Sequence, residues 1–235
     1  MSSVQSFVAG RSEQTMFAPA TRIQQSFLAS AEKRTLIWLA ERTPASVNSD
    51  HLTLLGFLSQ CAAGVCYALA RFNPKALLLG IVFLALNWFG DSLDGTLARV
   101  RNQQRPRYGF YVDHIADTIA AFVLMGGLAL AGYVHPDIAL GMLIAFLMLS
   151  IEAYLATYTL GSFRLSYWKF GPTEIRILLA IGNIALFTHP TIKLLGRRVL
   201  LFDLGGVIAI IGMGSMLLMS ALQHTIQLYR QEKIA

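Results

Sequence analysis

Four aspartates lie close together in the sequence and could bind metal ions. They are Asp91, Asp94, Asp113 and Asp117. They fall within 27 residues of a chain that contains only seven Asp, and long apolar runs flank them on both sides. A carboxylate at membrane depth is costly unless it is paired, hydrated or bound to a metal. Because four grouped carboxylates would also repel one another, the cluster predicts a site for a multivalent cation.

The spacing of these residues predicts two helical faces that meet. The first face has i, i+3, i+4, i+7 spacing and consists of Asp91, Asp94, Gly95 and Ala98. The second has i, i+4, i+8 spacing and consists of Gly109, Asp113 and Asp117. Only the nine residues 100–108 join the two helices. We therefore expect antiparallel neighbours whose acidic faces lie at the same depth.

The types of residue in the cluster favour oxygen-ligated cations. Carboxylates suit Mg²⁺ or Mn²⁺, and shared carboxylates could bridge two ions. No Cys or His has matching spacing, so zinc is poorly supported. Gly95, Ala98 and Gly109 leave room beside the carboxylates, either for close helix packing or for the phosphates of a ligand. Arg99 is the natural counter-charge, to a carboxylate or to a phosphate.

The composition predicts that these helices lie in a membrane. The chain has 235 residues, of which 55% are hydrophobic and 14% charged, whereas about 25% of the residues in an average soluble domain are charged. The net charge of +6 is therefore interpreted as cytoplasmic loops and headgroup contacts, and not as a nucleic-acid surface. Cys61 and Cys66 would point about 140° apart on a helix, which argues against a disulfide between them.

We predict an all-α fold with six transmembrane helices in one domain, 51–235. The six apolar segments are 52–70, 77–99, 109–133, 138–160, 174–190 and 204–228. Ahead of them we predict a disordered tail, 1–19, and then an amphipathic helix and linker within 20–50. The helix pattern covers 20–43, with Trp38 as an anchor at the membrane interface. An ordinary helix packed on the domain is the alternative.

The distribution of basic residues predicts the topology. With both termini in the cytoplasm, 14 of the 19 Lys and Arg lie on the inner side. The acidic cluster then faces the cytoplasm, and the expected location is a bacterial inner membrane. The three cations at 193–198 are a local exception, which headgroup binding on the far face or wrongly drawn segments would explain.

The acidic motif resembles a known family signature. The pattern D-x-x-D-G-x-x-A-R, a spacer and G-x-x-x-D-x-x-x-D, from Asp91 to Asp117, is similar to that of the CDP-alcohol phosphotransferases. Eight specified positions match in order. Family members often begin the first span with Pro-Asn-x-Leu-Thr, whereas residues 49–53 of this chain read Ser-Asp-His-Leu-Thr. A donor contact made by that Asn is therefore not carried over.

The resemblance implies a phospholipid-synthesis enzyme in which an alcohol hydroxyl displaces CMP from a CDP-linked donor. It implies that Asp91, Asp94, Asp113 and Asp117 hold two metal ions. It assigns CDP binding to Gly95, Ala98, Arg99 and Gly109. Asp117 is implied as the general base toward the acceptor. A homodimer among membrane lipids is also expected from the family.

The donor and acceptor stay open at this stage. CDP-diacylglycerol with a small polar alcohol is the preferred pair, and CDP-choline or CDP-ethanolamine with diacylglycerol as lipid acceptor is the alternative. Arg164, Lys169 and Arg176 are candidates for binding an acceptor phosphate or the donor diphosphate, or they form a positively charged cytoplasmic flank. A divalent-cation transporter is the competing class of protein. A purely structural explanation would be interfacial acids that cap helix ends and pair with Arg99, Arg101, Arg105 and Arg107.

Three further polar residues receive weaker predictions. Glu152 is expected to pair with Arg176 or to face an aqueous cavity, because an acid at that depth is costly. His114 should point about 100° away from the metal face and serve in packing. His224 is expected to be isolated near a helix end.

Overall fold

The computed structural model describes residues 21–23, 28–164, 171–194 and 196–232. Its helices are α1 Ala29–Arg42, α2 Ser49–Ala70, α3 Ala76–Val100, α4 Pro106–Ala131, α5 Pro136–Leu160, α6 Pro172–Thr188 and α7 Leu201–Gln231. Its strands are β1 Thr21–Ile23, β2 Ser162–Arg164, β3 Thr191–Leu194 and β4 Arg197–Leu200. The predicted disordered tail, 1–19, lies outside the described residues.

Proline and glycine mark the ends of several helices. Pro106, Pro136 and Pro172 each stand in the first turn of a helix, where the missing N–H would have no intrahelical acceptor. Gly132 and Gly161 end α4 and α5 with φ angles of 79° and 66°. This left-handed conformation suits glycine and closes the helix.

Each of the six predicted segments coincides with a helix, and no boundary differs by more than three residues. Among the described residues, α2, α3, α4, α5 and α7 are long and apolar enough to cross a membrane. The fifth predicted segment corresponds to α6, which has only 17 residues. The structure therefore supports a predominantly helical membrane protein with five candidate spans, and the sixth stays a prediction.

The N-terminal helix is shorter than the predicted 20–43 and begins at Ala29. Its Glu32, Leu36 and Ala40 are buried at intervals of four residues, and α1 packs mainly against α3. Trp38 is 53% exposed on the other side. Packing on the domain is thus observed, while contact with a membrane surface is a prediction that the structure does not test.

Helix α2 has an asparagine at its N-terminal cap. Asn48 is the N-cap: its side chain accepts a hydrogen bond from the His51 N–H at 3.0 Å, and its own N–H lies 3.3 Å from His51 Nδ1. Ser49 and Asp50 instead occupy the first helical turn. Ser49 uses its hydroxyl to reach the Asp94 carbonyl of α3 at 3.0 Å.

Short strands join some of the helices and were not predicted. β1 pairs in parallel with β2, and β3 pairs with β4 as an antiparallel hairpin. Gly196, with a φ of 79°, lies in the turn between β3 and β4. The three cations that broke the predicted charge pattern, Lys193, Arg197 and Arg198, belong to this hairpin. Because this hairpin connects α6 to α7, these residues lie between the fifth and sixth predicted segments and belong to neither.

Close glycine contacts hold the central helices together. α2 packs against both α3 and α4, α6 packs on α3, and α5 packs between α4 and α7. A Cβ added to Gly64 of α2 would lie 2.5 Å from the Val123 carbonyl oxygen of α4, so the two backbones meet there. In the same core the Tyr67 hydroxyl donates to Asn183 Oδ1 at 2.9 Å and connects α2 to α6.

Candidate active site

Three of the four signature aspartates line one cavity. Asp91 comes from the C-terminal half of α3, while Asp113 and Asp117 come from the start of α4. The short connection between α3 and α4 brings these two helix ends together, as the spacing predicted. The remaining lining residues come from α2, α3 and α4: Thr53, Gly56, Phe57, Gln60, Asn87, Ala116 and Ala120.

Asp94 is the buried member of the cluster. It is 8% exposed, and its Oδ2 accepts a hydrogen bond from the Thr53 hydroxyl of α2 at 2.6 Å. Its Oδ1 accepts from the backbone N–H of Gly95. Thr53 belongs to the Leu-Thr pair that this chain shares with the family pattern. That pair was the one sequence signal for a role of Thr53 in the site, and we did not assign one from it.

Arg176 reaches the site from α6. Its Nη2 donates to Asp91 Oδ2 at 2.5 Å, and its Nε donates to Asn87 Oδ1 at 2.7 Å. The third nitrogen, Nη1, is buried without a hydrogen-bond partner among the described residues. A buried cationic donor with unused capacity is suited to an anionic ligand such as a phosphate.

Asn87 extends this network to α2. Its Nδ2 donates to the Gly56 carbonyl at 3.0 Å and to Gln60 Oε1 at 3.2 Å. Sequence reasoning assigned no role to Asn87 or Gln60, since single amides in apolar runs carry no recognisable spacing. Together with Arg176 they connect α2, α3 and α6 around Asp91.

The four small or basic residues predicted to bind CDP lie at the ends of α3 and α4. Gly109 is exposed, and a Cβ added to it would meet nothing within 4 Å. No described residue packs so closely against Gly109 that it would require a glycine there. Gly95 and Ala98 are partly buried. Arg99 donates from Nη2 to the Thr96 hydroxyl at 2.9 Å on its own helix.

Arg101 and Arg105 have other partners than the signature aspartates. Arg101 donates to the backbone carbonyls of Thr43, Pro44 and Val47, and Arg105 forms an ion pair with Asp50. These contacts fasten the α1–α2 connection to the end of α3. The purely structural explanation, in which Arg101 and Arg105 neutralise the acidic cluster, is therefore wrong for both residues.

The expected pairing of Glu152 with Arg176 is also wrong. Glu152 of α5 instead pairs with His224 of α7, with His224 Nδ1 and Glu152 Oε1 2.6 Å apart. Both side chains are largely buried, so His224 is not the isolated residue that we expected. No sequence pattern indicated this contact, because the two residues are 72 positions apart.

The remaining predicted residues are only partly described. His114 stacks between Phe110 and Tyr154, with ring centroids 4.1 Å and 4.6 Å away, which agrees with the predicted packing role. Lys169 lies outside the described residues, and so does the side chain of Arg164, whose backbone forms the end of β2.

The donor chemistry around the cavity fits a divalent cation. The lining carries three carboxylates and the amide oxygens of Asn87 and Gln60, and none of the described residues that line it has a sulfur or imidazole group. All four aspartates are near enough to interact electrostatically. Among the described residues, however, no three acidic, His or Cys side chains form a ready-made ligand set. Asp91 is bonded to Arg176 and Asp94 to Thr53. These two carboxylates would therefore have to rotate to bind a metal ion in the cavity.

Long apolar helices around an acidic, oxygen-lined cavity define the class as an integral membrane protein with a polar site at its helix ends. The sequence profile of the CDP-alcohol phosphatidyltransferases matches residues 47–223, and the chain belongs to this family. The resemblance inferred from the acidic motif is thereby confirmed. Members of the family release CMP as they transfer phosphate-linked groups, and they generally use divalent metals.

Curated relatives match parts of the chain. Archaetidylinositol phosphate synthase of Methanothermobacter thermautotrophicus is 33% identical over 36% of this chain and 40% of its own. The enzyme of the same name from Pyrococcus horikoshii is 32% identical over 44% of this chain and 52% of its own. Cholinephosphotransferase 1 of Gallus gallus is 29% identical over 61% of this chain and 44% of its own. The chain thus spans about half the length of these relatives or less.

Proposed function

We propose that this protein is a divalent-metal-dependent transferase in which an alcohol hydroxyl displaces CMP from a CDP-linked donor. The observation that carries the proposal is the cavity lined by Asp91, Asp113 and Asp117. Beside it lies the buried Nη1 of Arg176, which has no hydrogen-bond partner in the part of the chain that the structure describes. Cationic donors and metal ions can both neutralise the charge of a diphosphate, and this site places the Arg176 guanidinium next to carboxylates of the type that divalent cations prefer. Family membership supports the same reaction.

The signature aspartates are proposed to hold the metal and to handle the proton. Asp91, Asp94, Asp113 and Asp117 would supply oxygen ligands for Mg²⁺ or Mn²⁺, with two ions expected. When bound, the metal neutralises phosphate charge and stabilises the departing CMP. Asp117 is proposed to accept the proton of the attacking hydroxyl, since it lines the cavity within electrostatic range of the other three carboxylates.

Other residues of the chain would bind and orient the donor. Gly95, Ala98, Arg99 and Gly109 are proposed to form the CDP cradle, and the open space around Gly109 supports this assignment. Arg176 is proposed to donate to a phosphate oxygen while Asn87 holds its guanidinium plane. Arg164 and Lys169 are retained as candidates for an acceptor phosphate.

CDP-diacylglycerol is the proposed donor, with a small polar alcohol as acceptor. The two archaetidylinositol phosphate synthases support a phosphorylated polyol as that alcohol, in line with the cations at 164–176. The match to cholinephosphotransferase 1, which covers more of the chain, favours the second candidate, CDP-choline or CDP-ethanolamine with diacylglycerol. A cation transporter finds no support in the comparisons.

We further propose six spans, with both termini and the site in the cytoplasm of a bacterial cell. At its N-terminal end α6 contacts Asp91 through Arg176, and farther along Asn183 reaches the Leu77 carbonyl near the opposite end of α3 at 3.4 Å. These contacts support an α6 that runs antiparallel along α3. Seventeen residues give about 26 Å of helix, near the roughly 30 Å of a hydrocarbon core. A homodimer stays a prediction.

The test is CMP release by the full-length protein reconstituted in liposomes with Mg²⁺ or Mn²⁺. CDP-diacylglycerol would be offered with glycerol phosphate, inositol phosphate and neutral alcohols, and CDP-choline and CDP-ethanolamine with diacylglycerol. We expect acceptor-dependent release that Asp117→Asn abolishes. Asp137→Asn, an exposed Asp in the first turn of α5, is the matched control and should retain activity. No CMP from any donor would overturn the proposal.

A further inference from the structure

Glu32 of α1 joins two helices of the site from outside the membrane spans. Its Oε1 accepts hydrogen bonds from Trp88 Nε1 at 2.9 Å and from the Ser92 hydroxyl at 3.2 Å, both on α3. The same oxygen accepts from the Thr173 hydroxyl of α6 at 2.6 Å. We call these four residues the Glu32 clasp. Glu32 itself is only 9% exposed, and a carboxylate that is buried needs such donors.

The helix that carries Glu32 is held firmly against the domain. Leu36 and Ala40 pack with Leu52, Leu93 and Leu97 in a small apolar cluster. The Leu28 N–H at the start of α1 donates to Glu174 Oε1 of α6 at 3.0 Å. α1 and α6 therefore contact each other through both Glu32 and Glu174. All of α1 precedes residue 47, where the match to the family begins.

The clasp lies beside the Asp91–Arg176 contact. Ser92 follows Asp91 directly, and Thr173 precedes Arg176 by three residues, which is slightly less than one helical turn. The two hydroxyls therefore bring together the same turns of α3 and α6 from which Asp91 and Arg176 extend. Arg176 alone could hold α6 by its long side chain, but a short Thr–Glu–Ser connection restricts the helix spacing more tightly.

We propose that Glu32 is a positioning residue: by binding Ser92 and Thr173 with one oxygen, it sets the α3–α6 spacing at which Arg176 faces Asp91 and a donor phosphate. α1 would then be a component of the active-site scaffold in addition to any membrane contact. The inference rests on the proposed function for its kinetic readout, and on α3–α6 geometry for a readout that needs no activity.

The kinetic experiment compares two substitutions of the same residue. Glu32→Ala removes the acceptor, and we expect kcat/KM for the CDP-linked donor to fall at least tenfold with the acceptor KM within twofold. Glu32→Gln keeps an amide oxygen for the three donors and should stay within threefold of wild type. Glu41→Ala removes an exposed carboxylate of the same helix and should have no effect.

A double-substitution cycle separates positioning from general stability. If Glu32 acts through Arg176, Glu32→Ala should lower the activity of an Arg176→Lys protein by less than threefold, because the contact that it positions is already altered. Losses that multiply independently would overturn the inference. Should Glu32→Ala fail to assemble, Thr173→Val removes one donor of the clasp and enters the same cycle.

Spin labels provide the readout that is independent of catalysis. Val82 of α3 and Leu178 of α6 are both more than half exposed and would carry the labels, with Cys61 and Cys66 replaced by Ala. We expect Glu32→Ala to broaden or shift the distance distribution, and Glu32→Gln and Glu41→Ala to leave it unchanged. An unchanged distribution in Glu32→Ala would overturn the inference even if the wild type releases CMP. A wild type that releases no CMP would contradict only the proposed function.

Discussion

Arg176 binds Asp91 and Asn87 with two different nitrogens, at 2.5 Å and 2.7 Å, and leaves its third nitrogen buried beside the acidic cavity. The two contacts fix the plane of the guanidinium group. A planar group fixed in this way can donate a hydrogen bond to a phosphate oxygen with little further ordering. The pairing also gives one signature aspartate a partner from a helix that lies outside the acidic motif.

Replacing Arg176 by Lys should weaken donor use. Lysine keeps the charge but loses the fork that contacts Asp91 and Asn87 together, and hydrogen bonds to charged groups contribute about 1.5–3 kcal/mol each. We expect kcat/KM for the CDP-linked donor to fall roughly 10- to 100-fold, measured as CMP release. Arg197→Lys on the exposed β3–β4 hairpin is the control. Equal activity of the two variants would contradict a role for the Arg176 fork.

Thr53→Val should impair the site through Asp94. The substitution keeps the side-chain shape and removes the 2.6 Å hydrogen bond to Asp94 Oδ2, which leaves a buried carboxylate oxygen without that donor. We expect CMP release to fall about tenfold and the Mg²⁺ concentration for half-maximal activity to change. Thr35→Val, whose exposed hydroxyl donates only to its own helix, should behave as wild type. A wild-type Mg²⁺ response with full activity in Thr53→Val would argue against this role.

Gly90→Ala should separate α2 from α3. The added Cβ would lie 2.5 Å from the Gly56 backbone N and 2.6 Å from the Leu52 carbonyl oxygen, and backbone atoms on a packed helix cannot move aside cheaply. We expect the protein to lose about 1–3 kcal/mol of stability, seen as a lower thermal midpoint in detergent. Gly126→Ala adds a Cβ with nothing within 4 Å and should leave the midpoint nearly unchanged. A similar midpoint for both variants would refute the close approach.

The Glu152–His224 pair should show strong coupling in stability. His224→Leu leaves the buried Glu152 carboxyl without its partner, and breaking a buried pair in this way typically costs about 3–5 kcal/mol. The double substitution Glu152→Leu with His224→Leu removes both polar groups and should recover much of that loss. Thermal unfolding of the two single variants and the double variant measures the coupling. Additive losses would contradict a direct interaction.

Helices α2 to α7 could be predicted closely from sequence because each one is an apolar run bounded by proline, glycine or charge. The adjacency of Asp91 to Asp113 and Asp117 was predictable for a similar reason, since a short connection leaves two helices little choice of arrangement. α6 was harder to assign because its 17 residues are near the lower limit for a span.

The contacts between distant residues were not predictable. Thr53 with Asp94, Arg176 with Asp91 and Glu152 with His224 each depend on how two helices are rotated about their axes, and one isolated polar residue in an apolar run does not reveal that rotation. The N-cap of α2 could not be chosen from the sequence for a local reason. Asn48, Ser49 and Asp50 are all good capping residues in a row, and only the His51 contact selects Asn48.

The Glu152–His224 pair also has a consequence for how the protein is made. The two residues are 72 positions apart, and ribosomes add about 5–20 residues per second, so roughly 4 to 14 seconds separate their synthesis. During that interval α5 carries Glu152 at membrane depth while its partner His224 has not yet been synthesised. Helix α7 therefore completes the polar pairing of a helix synthesised earlier, and α5 reaches its final state in the bilayer only after α7 has been made.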